Sequence, residues 1–252
     1  MSELLTHDSV GVNAKDTSGR TALICASCQG NEKVVTELLK DDSVAVNAKD
    51  NCARTALMWA CLNGHIAVVN QLLKHDSAGV KAKDKSGKTA LMLASGEGHD
   101  TVVAELLKHK SVGVNTKDRS GKTALIWASH QGRDAVVAEL LKHDSVDINA
   151  LDNMGHSGFF WAIYIGHVGV VHAFSRVKEK VEVNASCRLG NTCLMWACLR
   201  GQLDLVSELL KFPQIDVQAK NTAGSTALDL ARGLDLVEIT ECMEEYTKKY
   251  TR

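Results

Sequence analysis

Apolar residues along the chain fall into two alternating kinds of short cluster, separated by polar runs rich in Asp, Asn, Ser and Gly. The first kind is Ala-rich, as in "ALMWACLN" from Ala56 to Asn63. The second carries paired apolar residues one turn apart, Val68, Val69, Leu72 and Leu73, the i, i+1, i+4, i+5 stripe of a helix with one buried face. A Thr or Ser precedes each Ala-rich cluster: Thr21, Thr55, Thr89, Thr123, Ser157, Thr192 and Thr226. Such a residue caps a helix by accepting a hydrogen bond from an otherwise unpaired backbone amide. A Gly closes the cluster at Gly30, Gly64, Gly98, Gly132, Gly166 and Gly201, where a left-handed residue ends a helix. The pattern predicts a short helix, a Gly stop and a second helix, repeated along the chain.

The polar runs repeat as well. "VNAKD" begins at Val12 and Val46, "VKAKD" at Val80, "VNTKD" at Val114, "INALD" at Ile148, "VNASC" at Val183 and "VQAKN" at Val217. The step is 34 residues, except for 35 between Ile148 and Val183. One helix pair cannot bury its own apolar faces, so neighbouring units must stack into a solenoid.

These residues resemble the ankyrin repeat. The family pattern D-x-x-G-x-T-P-L-H-x-A-A-x-x-G-H-x-x-V-V-x-x-L-L appears as "DKSGKTALMLASGEGHDTVVAELL", Asp84 to Leu107. The resemblance implies an all-α fold with short β-hairpin loops, a solenoid of about seven helix-turn-helix units in one domain spanning residues 1–252. Repeats start near 12, 46, 80, 114, 148, 183 and 217. Residues 1–11 match the end of a unit, a partial N-terminal repeat or cap, and residues 217–252 form the C-terminal capping repeat. Ala replaces the family's Pro at the first helical position in most units and suits it equally. Met, Ile, Phe or Asp replaces its His, so the polar bond that His supplies between units must be absent or replaced. Each unit also carries about one extra residue before the hairpin, in "KHDSVDIN".

Composition adds limits. The chain is 45% hydrophobic with only 4% aromatic residues, so Ala, Val and Leu must build the core. A net charge of −1 gives no global signal for nucleic acid or an anionic membrane. The start lacks a basic segment followed by an apolar core, and "FFWAIYIGHVGVV", Phe159 to Val171, is too short to span a bilayer. The expectation is an intracellular, cytoplasmic monomer. The eight Cys do not suit a disulfide framework in a chain of this size.

"SGKT", Ser86 to Thr89, looks like the end of a phosphate-binding loop. Such a loop needs a Gly five residues before Gly87, and Ala82 stands there. Gly87 is instead a turn residue and Thr89 a helix cap. Cys25 and Cys28 form one CxxC with no second pair at metal-ligand spacing. Cys61 and Cys198 sit at a small Ala position, and His75, His109 and His143 recur in a loop. Trp59, Trp127, Trp161 and Trp196 share one register with Cys25 and Leu93, which reads as packing. Asn13, Asn47, Asn115, Asn149 and Asn184 share a hairpin position that asparaginyl hydroxylases modify in some similar proteins; a bond fixing the hairpin is the simpler role. No catalytic constellation stands out, so no enzyme activity, cofactor or metal is expected.

What remains is binding. In the family the concave face is lined by hairpin tips and exposed positions of the first helix. The two residues before the stopping Gly vary while their flanks hold, so stacking does not fix them. They place a protein-binding groove at Tyr164, Ile165, Leu199 and Arg200, flanked by His130 and Gln131, where aromatic and Arg residues cluster as in interface hot spots. A second candidate is a basic hairpin edge for an acidic peptide, phosphates or nucleic acid: Lys15, Arg20, Lys49, Arg54, Lys83, Lys85, Lys88, Lys117, Arg119 and Lys122. Asp16, Asp50, Asp84 and Asp118 oppose it, as turn stabilisers. The chain also suits the targeting domain of a larger multidomain protein.

Overall fold

The computed structural model describes residues 11–75 and 79–250. The partial repeat or cap assigned to residues 1–11 therefore lies outside the described residues, Gly11 excepted. Fourteen α-helices and one 3₁₀ turn are present, and no strand is found among the described residues. The chain divides into two compact units, residues 1–124 and 125–252.

In the first unit α1 (Ala22–Cys28), α3 (Ala56–Leu62) and α5 (Ala90–Glu97) lie side by side. Their partners α2 (Glu32–Leu38), α4 (Ile66–Leu73) and α6 (Asp100–Leu107) form a second row behind them. The predicted stripe is the reason: Val68, Val69 and Leu72 are fully buried, as are Val102, Val103 and Leu106. Thr21, Thr55 and Thr89 cap the first-row helices through Ile24, Met58 and Met92 amides.

The second unit follows the same plan. It contains α7 (Ala124–His130), α9 (Gly158–Ile165), α11 (Cys193–Leu199) and α13 (Ala227–Gly233) in the first row. Behind them stand α8 (Asp134–Leu140), α10 (Val168–Ser175), α12 (Leu203–Leu209) and α14 (Val237–Tyr250). Aromatic residues enlarge this core: Phe159 meets Phe174 and Phe212 edge-on, both at 5.3 Å between ring centres.

The polar bond between units is replaced rather than lost. His65 and His99, at the start of α4 and α6, donate from Nε2 to the carbonyls of Cys28 and Leu62, each at 3.1 Å. His167 does the same to His130 at 3.2 Å. Each ring lies against the stopping Gly before it. A Cβ on Gly64 would fall 2.6 Å from His99 Nδ1, and φ there is +72°, so both space and backbone demand Gly.

Two expectations need correction. The hairpin loops form no β-ladder; the nearest approach is one isolated bridge, Ser186 to Thr192. Each is a tight turn closed by a side chain, because the turn Asp takes the amides a ladder would use. Asp50 Oδ1 accepts from Cys52 and Arg54, and Asp84 Oδ1 from Ser86 and Lys88. The Asn position clasps the loop that leads into the following hairpin. Asn13 donates to Ser43 carbonyl and accepts from Ala45 amide, and Asn149 and Asn184 clasp 180–182 and 214–216 alike.

Candidate functional site

In the second unit α7 and α9 carry rings at i and i+3, one turn apart on one face, and α11 carries Trp196 in the same register. Stacking the helices side by side joins these rings into a strip. His130 lies 6.2 Å from Trp127 and meets Trp161 edge-on at 4.9 Å. Tyr164 stands 5.9 Å from Trp161 and 5.4 Å from Trp196, perpendicular or nearly so to both. Phe160 stacks on Tyr164 at 5.8 Å and on His156 at 4.1 Å. The guanidinium of Arg200, just past α11, lies 4.3 Å above the Tyr164 ring. Trp127, Trp161 and Trp196 are half-buried, so one face of the strip meets solvent.

The structure thus brings Tyr164, Arg200 and His130 together. It does not join Ile165, Leu199 and Gln131 to their rings. Ile165 ends α9 at 38% exposure, Leu199 is half-buried and Gln131 is exposed. Trp127, Trp161 and Trp196, read as packing residues, prove to be the body of the strip. Their indole N–H groups explain the orientation. Trp59 donates to Asp50 Oδ2 and Trp161 to Asp152 Oδ2, each at 2.9 Å, so the ring is drawn towards the hairpin instead of the core. The signal was an Asp nine residues before a Trp, obscured because Cys25 and Leu93 share the register. Trp196 departs from this rule, since Cys187 stands where the Asp would be, and its buried indole N–H has no acceptor.

The basic edge lies in the first unit. Lys15, Lys49 and Lys83 each reach across one repeat, donating from Nζ to the carbonyls of Lys49, Lys83 and Lys117 at 2.9, 3.3 and 2.9 Å. The Lys row is therefore physically continuous. Other cations are engaged locally. Arg20 pairs with Asp16 at 2.9 Å, and Arg54 lies 3.7 Å from Asp84 and 4.9 Å above the Trp59 ring. Lys88 is half-buried; desolvation lowers its pKa, against the pull of Asp84 and Asp118. Lys85, Lys117 and Arg119 are exposed and Lys122 is half-buried.

Cys25 and Cys28 lie half-buried in and at the end of α1, and no group of three His, Cys, Asp or Glu among the described residues could hold a metal. Cys61 and Cys198 are fully buried at their small-residue positions. No helix among the described residues is long and apolar enough to cross a membrane. A search of curated proteins finds no match to the chain. A family model of ankyrin repeats matches it over residues 1–84, 77–152 and 159–243. The chain belongs to the ankyrin-repeat family, whose repeats generally mediate protein–protein interaction and are generally non-enzymatic.

Proposed function

We propose that the chain is a protein-binding adaptor whose aromatic strip on α7, α9 and α11 is the recognition surface, on the concave face this family uses. The observation that carries the reading is Arg200 held 4.3 Å over Tyr164 within a row of half-buried rings. Aromatic and Arg side chains dominate interface hot spots because they combine large apolar area with a directed polar group. Ring-on-ring contacts hold the strip in shape before a partner arrives, so little ordering cost falls on binding. Ile165 and Leu199 supply apolar margin, and His130 and Gln131 the polar rim. The same reading takes the chain as one domain of seven repeats, capped by 217–252, acting as a cytoplasmic monomer. Its eight free thiols fit a reducing compartment.

The test is affinity capture with the wild-type chain and with Tyr164→Ala combined with Leu199→Ala. Loss of the captured partners is expected; an unchanged set would place binding elsewhere.

A second reading assigns the Lys15–Lys49–Lys83–Lys117 row to an acidic peptide or another polyanion. Its support is the register, since each ammonium is held one repeat from the next. Heparin retention that falls steeply with salt would favour it, and a flat profile would sink it.

A further inference from the structure

In the first unit neighbouring hairpin tips are tied by one backbone bond at each 34-residue step. Asn51 donates to Ser18 carbonyl, Lys85 to Cys52 and Arg119 to Ser86, at 2.9, 3.0 and 3.0 Å. In the second unit Thr222 donates to Leu189 at 3.0 Å. Met154 and Arg188 hold these positions across the 35-residue step, and no such bond joins them. The turn glycines report the same gap independently. A Cβ on Gly19, Gly87 or Gly190 would meet the following hairpin's amide at 2.9, 3.0 or 2.9 Å. On Gly155 it would meet nothing within 4 Å.

The two hairpins, 150–157 and 185–192, are thus parted by an open cleft of about 770 Å³. Its chemistry differs from that of the hairpin tips in the first unit. Leu151 replaces the Lys of the basic row and is 46% exposed; Met154 and Leu189 replace Ser and are 68% and 61% exposed. Large apolar groups at such exposure mark a contact surface. Two charged residues line the cleft. Asp152 is spent within its own hairpin, with Oδ1 accepting from Met154 and His156 amides and Oδ2 from Trp161. Arg188 is exposed and makes no ion pair among the described residues, so the charge the cleft offers is positive.

We propose that this cleft receives an extended segment of a partner protein that carries large apolar side chains beside an acidic residue. An extended chain is the form that can use the Met154 carbonyl and Arg188 amide, as strands added at an open edge do. Leu151, Met154 and Leu189 take its apolar side chains, and Arg188 its carboxylate. The inference shares with the preceding section the reading that the chain binds proteins, but does not depend on the aromatic strip.

Random peptides displayed on phage and selected on the full chain, then synthesised with a fluorophore, supply the probe. The expected winners combine Leu, Ile, Met or Phe with Asp or Glu. Arg188→Glu and Leu189→Ser, both at exposed side chains, should each weaken them about tenfold. A peptide with its acid changed to Lys should regain affinity for Arg188→Glu, and Val237→Ser, at an exposed residue of α14, should leave affinity unchanged. Bound peptide should slow hydrogen exchange at the Arg188 amide. Winners without acidic residues, binding indifferent to both cleft variants, or a footprint confined to α9 and α11 would overturn the proposal. So would self-association through the cleft that the peptides cannot displace, which would make a second copy its occupant.

Discussion

Trp161 gives its indole N–H to Asp152 at 2.9 Å, whereas Trp196, in the same register one repeat later, has Cys187 at the Asp position and keeps its buried N–H unpaired. An unsatisfied buried donor costs about 1–3 kcal/mol. Cys187→Asp supplies the missing acceptor and also a carboxylate for the turn amides, as Asp152 does. Stability should rise by about 1–2 kcal/mol, read as a higher urea midpoint at unchanged slope. An unchanged or lower midpoint would show that the Trp–Asp bond contributes nothing.

The helix-start histidines make a sharper case. His99→Ala removes the donor to Leu62 carbonyl and the ring that rests on Gly64. The expected loss is about 1–3 kcal/mol in chemical denaturation. His99→Gln should cost less, because Gln202 already occupies the same position against Gly166. Equal losses for both variants would mean that ring packing alone matters.

Two glycines with the same left-handed backbone should respond differently to Ala. At Gly87, φ is +82° and a Cβ would meet the Arg119 amide at 3.0 Å; at Gly155, φ is +79° with open space. Gly155→Ala carries the backbone strain alone, about 1 kcal/mol, a conformation that Ala53 already adopts at φ 61°. Gly87→Ala carries the strain and the clash, and its denaturation midpoint should fall further. Equal midpoints would contradict the difference in hairpin contact.

Acid should unfold the second unit partly through Glu208, a buried carboxylate. Burial works to raise its pKa, but hydrogen bonds from Lys211 and His172 prevail and hold it below the usual 4.5. A carboxyl depressed on folding stabilises above its unfolded value, and that contribution disappears as pH falls through the folded one. Glu208→Gln should therefore flatten the stability profile below about pH 4.5. A profile of unchanged slope in that window would exclude Glu208 as a source of the acid sensitivity.

Cysteine labelling tests the packing directly. Burial pushes the thiols of Cys193 and Cys198 up to about 12 and that of Cys61 higher still. Cys52 is exposed. Under native conditions a maleimide should modify Cys52 first and leave these three untouched until denaturant is added. Early labelling of Cys61 would show that the α3 core opens easily.

Helix pairs, caps and stops were legible because each rests on local chemistry: Thr55 accepting from Met58, Gly64 adopting φ +72°, Val68 and Leu72 sharing a face. The Trp positions were not, because a helix in a stacked row has both a buried face and a solvent face. Register alone cannot tell which an indole takes; at Trp59 and Trp161 the hairpin Asp holds it. The cleft was half legible. The extra residue before Val183 is countable, and the apolar Leu151, Met154 and Leu189 are visible, but the lost Met154–Arg188 bond emerges only when the hairpins fold side by side.

The bonds from Lys15, Lys49 and Lys83 run to the carbonyl 34 residues ahead. Removing residues 80–113 would bring Lys117 to the place Lys83 now holds, and Lys49 would find the same carbonyl waiting. Removing one residue fewer would leave that ammonium facing the wrong atom. Along the Lys row, gain or loss of length therefore keeps these bonds only in whole periods, whereas the 35-residue step between Ile148 and Val183 falls where Leu151 has already ended the row.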